Sequence, residues 1–502
     1  MTPFRLSILA APLVAALALA ASAVAEPWAT PGDTRLRSDL ELVANAGLLD
    51  NITTQWPIPW DGVLGRLQDP AAYAAQPRYI REAATRLVAQ ALAASATDHV
   101  RLGATLDGTN QPNSVRGFDA QGRGRVTTQG IADWNSENIY VHVAAGVLID
   151  AQEAAGHIDR NKLRIAPDGS YVAQRIGGTL LYAGYVPHWW GPGWSTALTL
   201  STNARPFPQV GLTRMSSSPF ASRFLRWLGP WRFEVGAGLL DDQRLATHSL
   251  WDGIRFTFNP AKGLEIGGAR TQIFCGRGHP CNVYKAVFNL SNNDAHPSIS
   301  SSQGEFDVRW TSHLWHHPFS VYTQIMNEDS SPIRHSLSSH LIGATTWLPV
   351  GNNTARITAE YVSSISTFDI FSFNTIGYGV SYTDYKYPID GTRYRGRALG
   401  YSLDSDSRLI MLQGSVVDAA NRNWTLTGYR AYVSTPFTNT GAALSDNPLT
   451  TTPVTIDIGE AKVAMPLSWG DLTFTGRVQD DQFRPKHGFS AGGEISAIVR
   501  FR

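Results

Sequence analysis

Two pentapeptides in this chain spell the serine turn of a hydrolase. GFSAG, Gly488 to Gly492, has the G-x-S-x-G spacing with Ser490 at its centre, and GWSTA, Gly193 to Ala197, is a looser version around Ser195. Such a serine works on a sharp strand-to-helix turn that exposes its hydroxyl beside an oxyanion hole. Both serines instead precede strand-like text, so a chance match in a glycine-rich chain is the better reading. Acid pairs at Asp241 and Asp242, Asp404 and Asp406, and Asp480 and Asp481 suggest glycosidase carboxylates. Neighbours in a tight turn do not hold the fixed separation across a sugar ring that this chemistry needs, so they read as solvated turns or lumen charge. There is no glycine loop with its lysine to cradle a phosphate. The residues thus predict no catalytic site and no cofactor.

Cys275 and Cys281, the only two cysteines, enclose the turn-like GRGHP. In an exported chain this spacing favours a loop disulfide. A metal site with His279 is the alternative, but two thiols and one imidazole leave tetrahedral zinc a ligand short. HLWHHP, with His313, His316 and His317, reads as a strand end or turn at a membrane edge. Binding chemistry is better represented. Sugars pack their C–H faces on flat rings and need amide, carboxylate or guanidinium partners for their hydroxyls. Trp189, Trp190 and Trp194, followed by Asn203 and Arg205, supply that mixture and are the candidate polysaccharide-binding residues. The competing reading is structural, since aromatics form girdles in every membrane barrel and a turn arginine often ties strands together.

Whatever these residues do, extended elements must position them. Arg5, the apolar run from Leu6 to Ala20 and the small residues Ala23 to Ala25 predict a secretory signal, residues 1–25, cut before Glu26. Pro12 and the many alanines argue against a retained anchor, and the lack of an early cysteine argues against lipid attachment. Residues 26–97 read as helical: Leu36, Leu40 and Val43 share one face of a helix that Gly47 could end. After the WPIPW turn, Ile80, Ala84, Leu87, Val88, Ala91 and Leu92 form a second stripe. From residue 98 to 502 the period is two. Ile139, Val141, Val143, Ala145, Val147 and Ile149 oppose Asn138, Tyr140 and His142. Trp231, Phe233, Val235, Ala237 and Leu239 oppose Arg232 and Glu234. Phe306, Val308 and Trp310 oppose Glu305, Asp307 and Arg309, while Leu472, Phe474 and Val478 oppose Asp471, Thr473, Thr475 and Arg477. About 16 to 18 such runs fit an outer-membrane barrel. The chain closes on EISAIVRFR, an amphipathic strand with Phe501 penultimate.

Lys+Arg 42 against Asp+Glu 41 leaves a net charge of +1, which removes the electrostatic case for nucleic acid. Charged residues are 17% of the chain, and 45 glycines, 15 tryptophans and 17 tyrosines fit many strands and tight turns. No later segment has the apolar length of a spanning helix, so a membrane form must be a closed barrel.

Three segments resemble landmarks of the capsule assembly protein Wzi family. They are LYAGYVPHWWGPGWSTALTLSTNARPFPQVGLTR (Leu181 to Arg214), TTQWPIPW (Thr53 to Trp60) and RALGYSLDSDSRL (Arg397 to Leu409). The resemblance implies an all-β transmembrane β-barrel of eighteen antiparallel strands with a small N-terminal α-helical periplasmic subdomain. It also implies a non-catalytic, lectin-like role with capsular polysaccharide or exopolysaccharide as partner, in the cell outer membrane. The expected protein is a monomer contacting outer-membrane lipid, and a channel for small solutes is the alternative function.

Overall fold

The computed structural model describes residues 26–50, 52–95, 100–119, 122–151, 162–240, 246–279, 281–282, 300–314, 317–328, 337–368, 376–377, 379–383, 391–434, 447–450, 452–480 and 488–501. The expected signal, residues 1–25, lies outside them.

Antiparallel strands close into a barrel of 18 wall positions. One position is shared by Leu163–Ala166 and Tyr171–Ile176, which both pair with Ile139–Ala151. Another is shared by Ile376–Gly377 and Arg408–Val417, both on Asn353–Phe368. The seam joins the last strand, Ser490–Phe501, to the first, Arg101–Thr109, with Phe501 opposite Leu102 and Glu494 opposite Thr109. The terminal amphipathic strand therefore completes the wall and leaves no open edge.

Alternation decides which way each side chain faces. Ile139, Val143 and Ile149 are exposed on the outside of one strand, as are Val235 and Leu239, Trp310, and Phe474 and Val478 on others. Their strand neighbours Arg232, Glu234, Glu305, Asp307, Arg309 and Arg477 point inward and are buried. An apolar exterior around a closed wall is the arrangement lipid tails require. One end of the barrel carries tight turns, among them Gly177-Gly178 and Lys262-Gly263, which mark the periplasmic side. Gly263 has φ +78°, and a Cβ there would fall 2.5 Å from the Thr311 carbonyl oxygen.

Among the described residues, three α-helices precede the wall: α1 (Thr34–Asn45), α2 (Trp60–Leu67) and α3 (Arg78–Ser95). The Asp33 side chain caps α1 by accepting from the Arg35 and Leu36 amides, and Gly47, at φ +77°, follows its end. The stripe on α3 buries Ile80, Ala84, Leu87 and Ala91. Helix α2 begins where the sequence reads only as a turn, because Pro59, Gly62 and Gly65 mask its helical pattern. Helix α1 also buries its polar residues Arg37, Asp39, Glu41 and Asn45. The cause is its surroundings: the helices share one core with Trp56, Phe118, Trp189, Ala197 and Trp347. They form the floor of a filled lumen, continuous with the chain inside it.

Candidate functional site

The chain leaves the wall after Thr179–Gly184, crosses the lumen, and rejoins it as Gln209–Arg214. Within this crossing Trp189–Trp190 pairs antiparallel with Gln55–Trp56 from the N-terminal region. The Trp190 amide donates to the Leu200 carbonyl at 2.9 Å, folding the Gly-Pro-Gly turn back on itself. Gly191 sits at φ +141°, and a Cβ there would lie 2.5 Å from Gln324 Nε2, so the close approach of wall and turn needs glycine.

Wall side chains reach inward and hold this crossing. Gln324 Nε2 donates to the Trp190 carbonyl at 2.8 Å, and its Oε1 accepts from the Leu198 amide at 3.0 Å. Glu360 accepts from the amides of Trp194 (2.6 Å) and Ser195 (2.8 Å), from Ser195 Oγ (2.5 Å) and from the Tyr322 hydroxyl (2.6 Å). From α1, Arg37 donates to the carbonyls of Pro192 (2.6 Å) and Gly193 (2.8 Å) and pairs with Glu41 at 2.8 Å. The guanidinium groups of Arg37 and Arg356 lie 4.2 and 3.4 Å from the Trp194 ring centre.

A second group of wall charges grips Thr53 to Pro57. Glu265 accepts from the Thr53 and Thr54 amides, both at 3.0 Å. Arg232 donates to the carbonyls of Gln55 (2.6 Å) and Pro57 (2.7 Å). Arg255 pairs at 2.8 Å with both Glu305 and Asp307 and donates to Thr54 Oγ1 at 2.9 Å. Within the floor, Arg86 makes two 2.7 Å bonds to Asp39. Burial pushes the Asp39 carboxyl above its ordinary range, and those bonds pull it part of the way back.

The candidate sugar residues therefore sit inside a plug. Trp189, Trp190, Trp194, Asn203 and Arg205 are 0 to 6% exposed. A ring stacks on a sugar only through an open face, and these have none. Asn203 Nδ2 donates to the Ala398 carbonyl at 2.8 Å, its Oδ1 accepts from Arg397 at 3.1 Å, and Arg205 pairs with Asp168 at 2.8 Å. The Ser201 amide donates to the Leu399 carbonyl and the Tyr382 hydroxyl to the Leu198 carbonyl. These five side chains are thus held by partners within the protein, and the three separate sequence landmarks converge on one another in the lumen.

Other candidates resolve in the same way. Ser195 is bound to Glu360 in the plug, and Ser490 opens the last wall strand opposite Gln479, so neither sits on a strand-to-helix turn. Asp404 is paired with Arg393, while Asp406 accepts from the Gly379 amide. The Asp480 side chain accepts from the Asp457 amide; Asp241, Asp242 and Asp481 lie outside the described residues. Cys275 and Cys281 form a disulfide. His313 pairs opposite Pro318 and His317 opens the strand His317–Glu328, the strand-end placement their sequence suggests. His316 is outside the described residues. The anchors that sequence reasoning missed are Gln324, Glu360 and Arg255. Their only signal is polar alternation along a strand, which marks the inward face and says nothing about the partner across the lumen.

Fold and site together define a plugged membrane barrel: eighteen wall positions around a lumen filled by its own chain. The chain belongs to the capsule assembly protein Wzi family, whose profile matches residues 91–417. It is 27% identical over 319 residues to an uncharacterized 55.8 kDa protein in the cps region of Klebsiella pneumoniae. That match covers 62% of this chain and spans 60% of the relative's length. The solved structure of Wzi from Escherichia coli superposes with a TM-score of 0.78 at 21% identity, over 94% of this chain and 99% of that one. That protein is described as an outer membrane protein involved in group 1 capsule assembly and as a carbohydrate-binding β-barrel.

Proposed function

We propose that this protein holds or organises capsular polysaccharide, or a related exopolysaccharide, at the cell surface by noncovalent, lectin-like contact and without catalysis. It acts from the outer membrane as a monomer surrounded by lipid, with polymer engaged at the extracellular end of the barrel. The five residues Trp189, Trp190, Trp194, Asn203 and Arg205 serve as the platform beneath that surface. The reading also assigns residues 26–97 to the periplasmic end, as the floor of the plug, and residues 98–502 to the barrel.

The observation that carries this reading is the pinned plug. A channel needs a continuous polar path, whereas here the inward-facing Arg232, Arg255, Glu265, Gln324 and Glu360 are used up in bonds to chain inside the lumen. Membership in a capsule assembly family supplies the ligand class. Gene disruption is the test: polymer should appear in the medium while its synthesis continues. Loss of synthesis itself, or unchanged cell-associated polymer, would sink the proposal. In planar bilayers the purified protein should be electrically silent, and large steady currents would favour solute transport instead.

A further inference from the structure

At the periplasmic end, tight turns join Ile176 to Thr179 and Ala261 to Leu264, whereas the strands Gln209–Arg214 and Trp231–Leu239 are joined by a long excursion, Met215 to Pro230. Both of its roots are tied down. The Trp231 amide donates to the Ser217 carbonyl at 3.0 Å, the Asn259 amide donates to the Pro230 carbonyl at 2.8 Å, and Arg214 donates to the carbonyls of Trp231 (2.7 Å) and Ser218 (2.9 Å). Between the roots, the amides of Leu225 and Arg226 both donate to the Ser222 carbonyl, at 3.2 and 3.0 Å, and a single 3-10 turn, Arg226–Leu228, follows. The excursion therefore has a fixed outline.

What it displays is apolar. Phe224 is 78% exposed, Trp227 63% and Leu225 42%, and large side chains gathered within four residues mark an interaction surface. Their neighbours say with what. Trp227 meets Phe258 edge-on at 6.3 Å, and Phe220 stacks on Trp231 at 4.1 Å with planes 8° apart. Phe256 lies 5.8 Å from Trp231 and 5.7 Å from Phe258. Phe256 and Phe258 alternate with the exposed Ile254 on the outward face of Leu250–Ala261, so the aromatic surface of the excursion is continuous with the outside of the wall. Tryptophan favours that border between lipid and water. Charge adds a second, independent sign: no acidic residue occurs from Leu212 to Phe233, while Arg223 and Arg226 stand exposed among the apolar side chains. Neither forms an ion pair among the described residues. A guanidinium keeps its charge and presents a fork of donors that matches phosphate.

We propose that the excursion is an interfacial foot: Phe224, Leu225 and Trp227 enter the periplasmic leaflet of the outer membrane, and Arg223 and Arg226 take the phosphate groups of its phospholipids. The proposal rests on the reading of the wall as lipid-facing. Long arginine stems lie along apolar surface while their heads stay at the headgroup level, so the mixture of side chains suits a leaflet boundary and no deeper position. The consequence is mechanical. Ser217, at one root of the foot, donates to Asp50 at 2.5 Å, and Met215 shares a buried cluster with Trp28. The foot thereby links the floor of the plug to the leaflet beside it.

The test uses the full mature protein in vesicles of phosphatidylcholine and phosphatidylglycerol. Because Cys275 and Cys281 are paired, a thiol introduced by Leu225→Cys is the one that takes a fluorescent label. Brominated acyl chains should quench that label, as they should quench one placed on the outward wall by Leu412→Cys. With bromine carried by one lipid at a time, association at the foot should favour phosphatidylglycerol by more than about fivefold, the effect of one arginine near an anionic surface. Adding R223Q/R226Q should bring the ratio to about one. Heat-modifiable gel migration checks that the wall of each variant has formed. A quenched wall label beside an unquenched foot label would overturn the foot alone and leave its apolar surface to a periplasmic protein. Two unquenched labels would overturn the lipid-facing wall as well. Equal association of the two lipids, or a preference that survives R223Q/R226Q, would overturn the phosphate contact.

Discussion

The wall and the plug are made of one chain by opposite rules. On the wall, every second residue faces lipid and any large apolar side chain serves, as Leu412, Leu426 and Ile495 do. Where the wall's inward face meets the plug, side chains are irreplaceable individuals: Glu360 accepts four hydrogen bonds from Trp194, Ser195 and Tyr322. The wall tolerates variation within a class because its partner is a fluid. The plug does not, because its buried donors and acceptors are met by particular groups whose loss leaves the other side unsatisfied.

The sharpest way to break the comparison is to remove one plug anchor. Arg255→Ala leaves Glu305 and Asp307 buried together and takes a partner from Thr54. Truncating one side of a buried ion network costs roughly 3–5 kcal/mol. Thermal melting in detergent should show that loss, and a loosened plug should give bilayer currents that the wild type lacks. The combined variant R255M/E305L/D307L removes the charges together and should recover most of the stability. A silent, fully stable Arg255→Ala protein would show that the plug is not held in this way.

On the wall the matching experiment is Leu412→Arg, at an outward position in the strand Arg408–Val417. Near the bilayer midplane an outward arginine costs about 2–4 kcal/mol, whereas on a water-facing surface it would stay within about 0.5 kcal/mol. Reversible unfolding from lipid vesicles distinguishes the two. A negligible effect would mean that this face does not meet lipid tails.

The same contrast explains what could be read from the chain. Glu305, Asp307 and Arg309 were legible as one face of a strand, since alternation is a local property, and so was the closing strand that ends in Phe501. Their partners were not legible. Arg309 bonds Thr53 and Asn45, more than 250 residues away, through contacts that no periodicity encodes. The tryptophans drew attention as ligands because a buried indole and a sugar-stacking indole have the same letter. What separates them is the carbonyl or guanidinium that covers the ring, and that is a property of the fold. Helix α2 was hidden for a related reason: the burial of its own Trp60, Val63 and Leu67 outweighs the weak helix preference of Gly62 and Gly65.

A smaller effect belongs to the loop linked by Cys275 and Cys281, which are 6 residues apart. Closing so short a loop stabilises by about 2 kcal/mol in the chain-entropy account. Replacing both cysteines by serine should lower the melting temperature modestly while leaving the plug silent in bilayers. Currents from that variant would tie the loop to the plug and blur the distinction between the two regions.

The smallest effect lies at a turn of the wall in contact with water. Asp418 follows the strand Arg408–Val417; its slight burial raises the carboxyl, but bonds from Trp424 Nε1, Arg422 Nε and the amides of Arg422 and Ala420 outweigh this and lower it to about 2. A depressed folded value means that the unfolded chain binds the proton first as pH falls. The contribution is therefore fully present above the ordinary carboxyl value near 3.8 and is lost as pH drops through about 2. Exposure and salt keep it below about 1 kcal/mol. Asp418→Asn should therefore be less stable at neutral pH by under about 1 kcal/mol, with the difference from wild type closing as pH falls through that window. Identical acid slopes in the two proteins would show that the turn charge carries no weight beside the buried ion pairs of the plug.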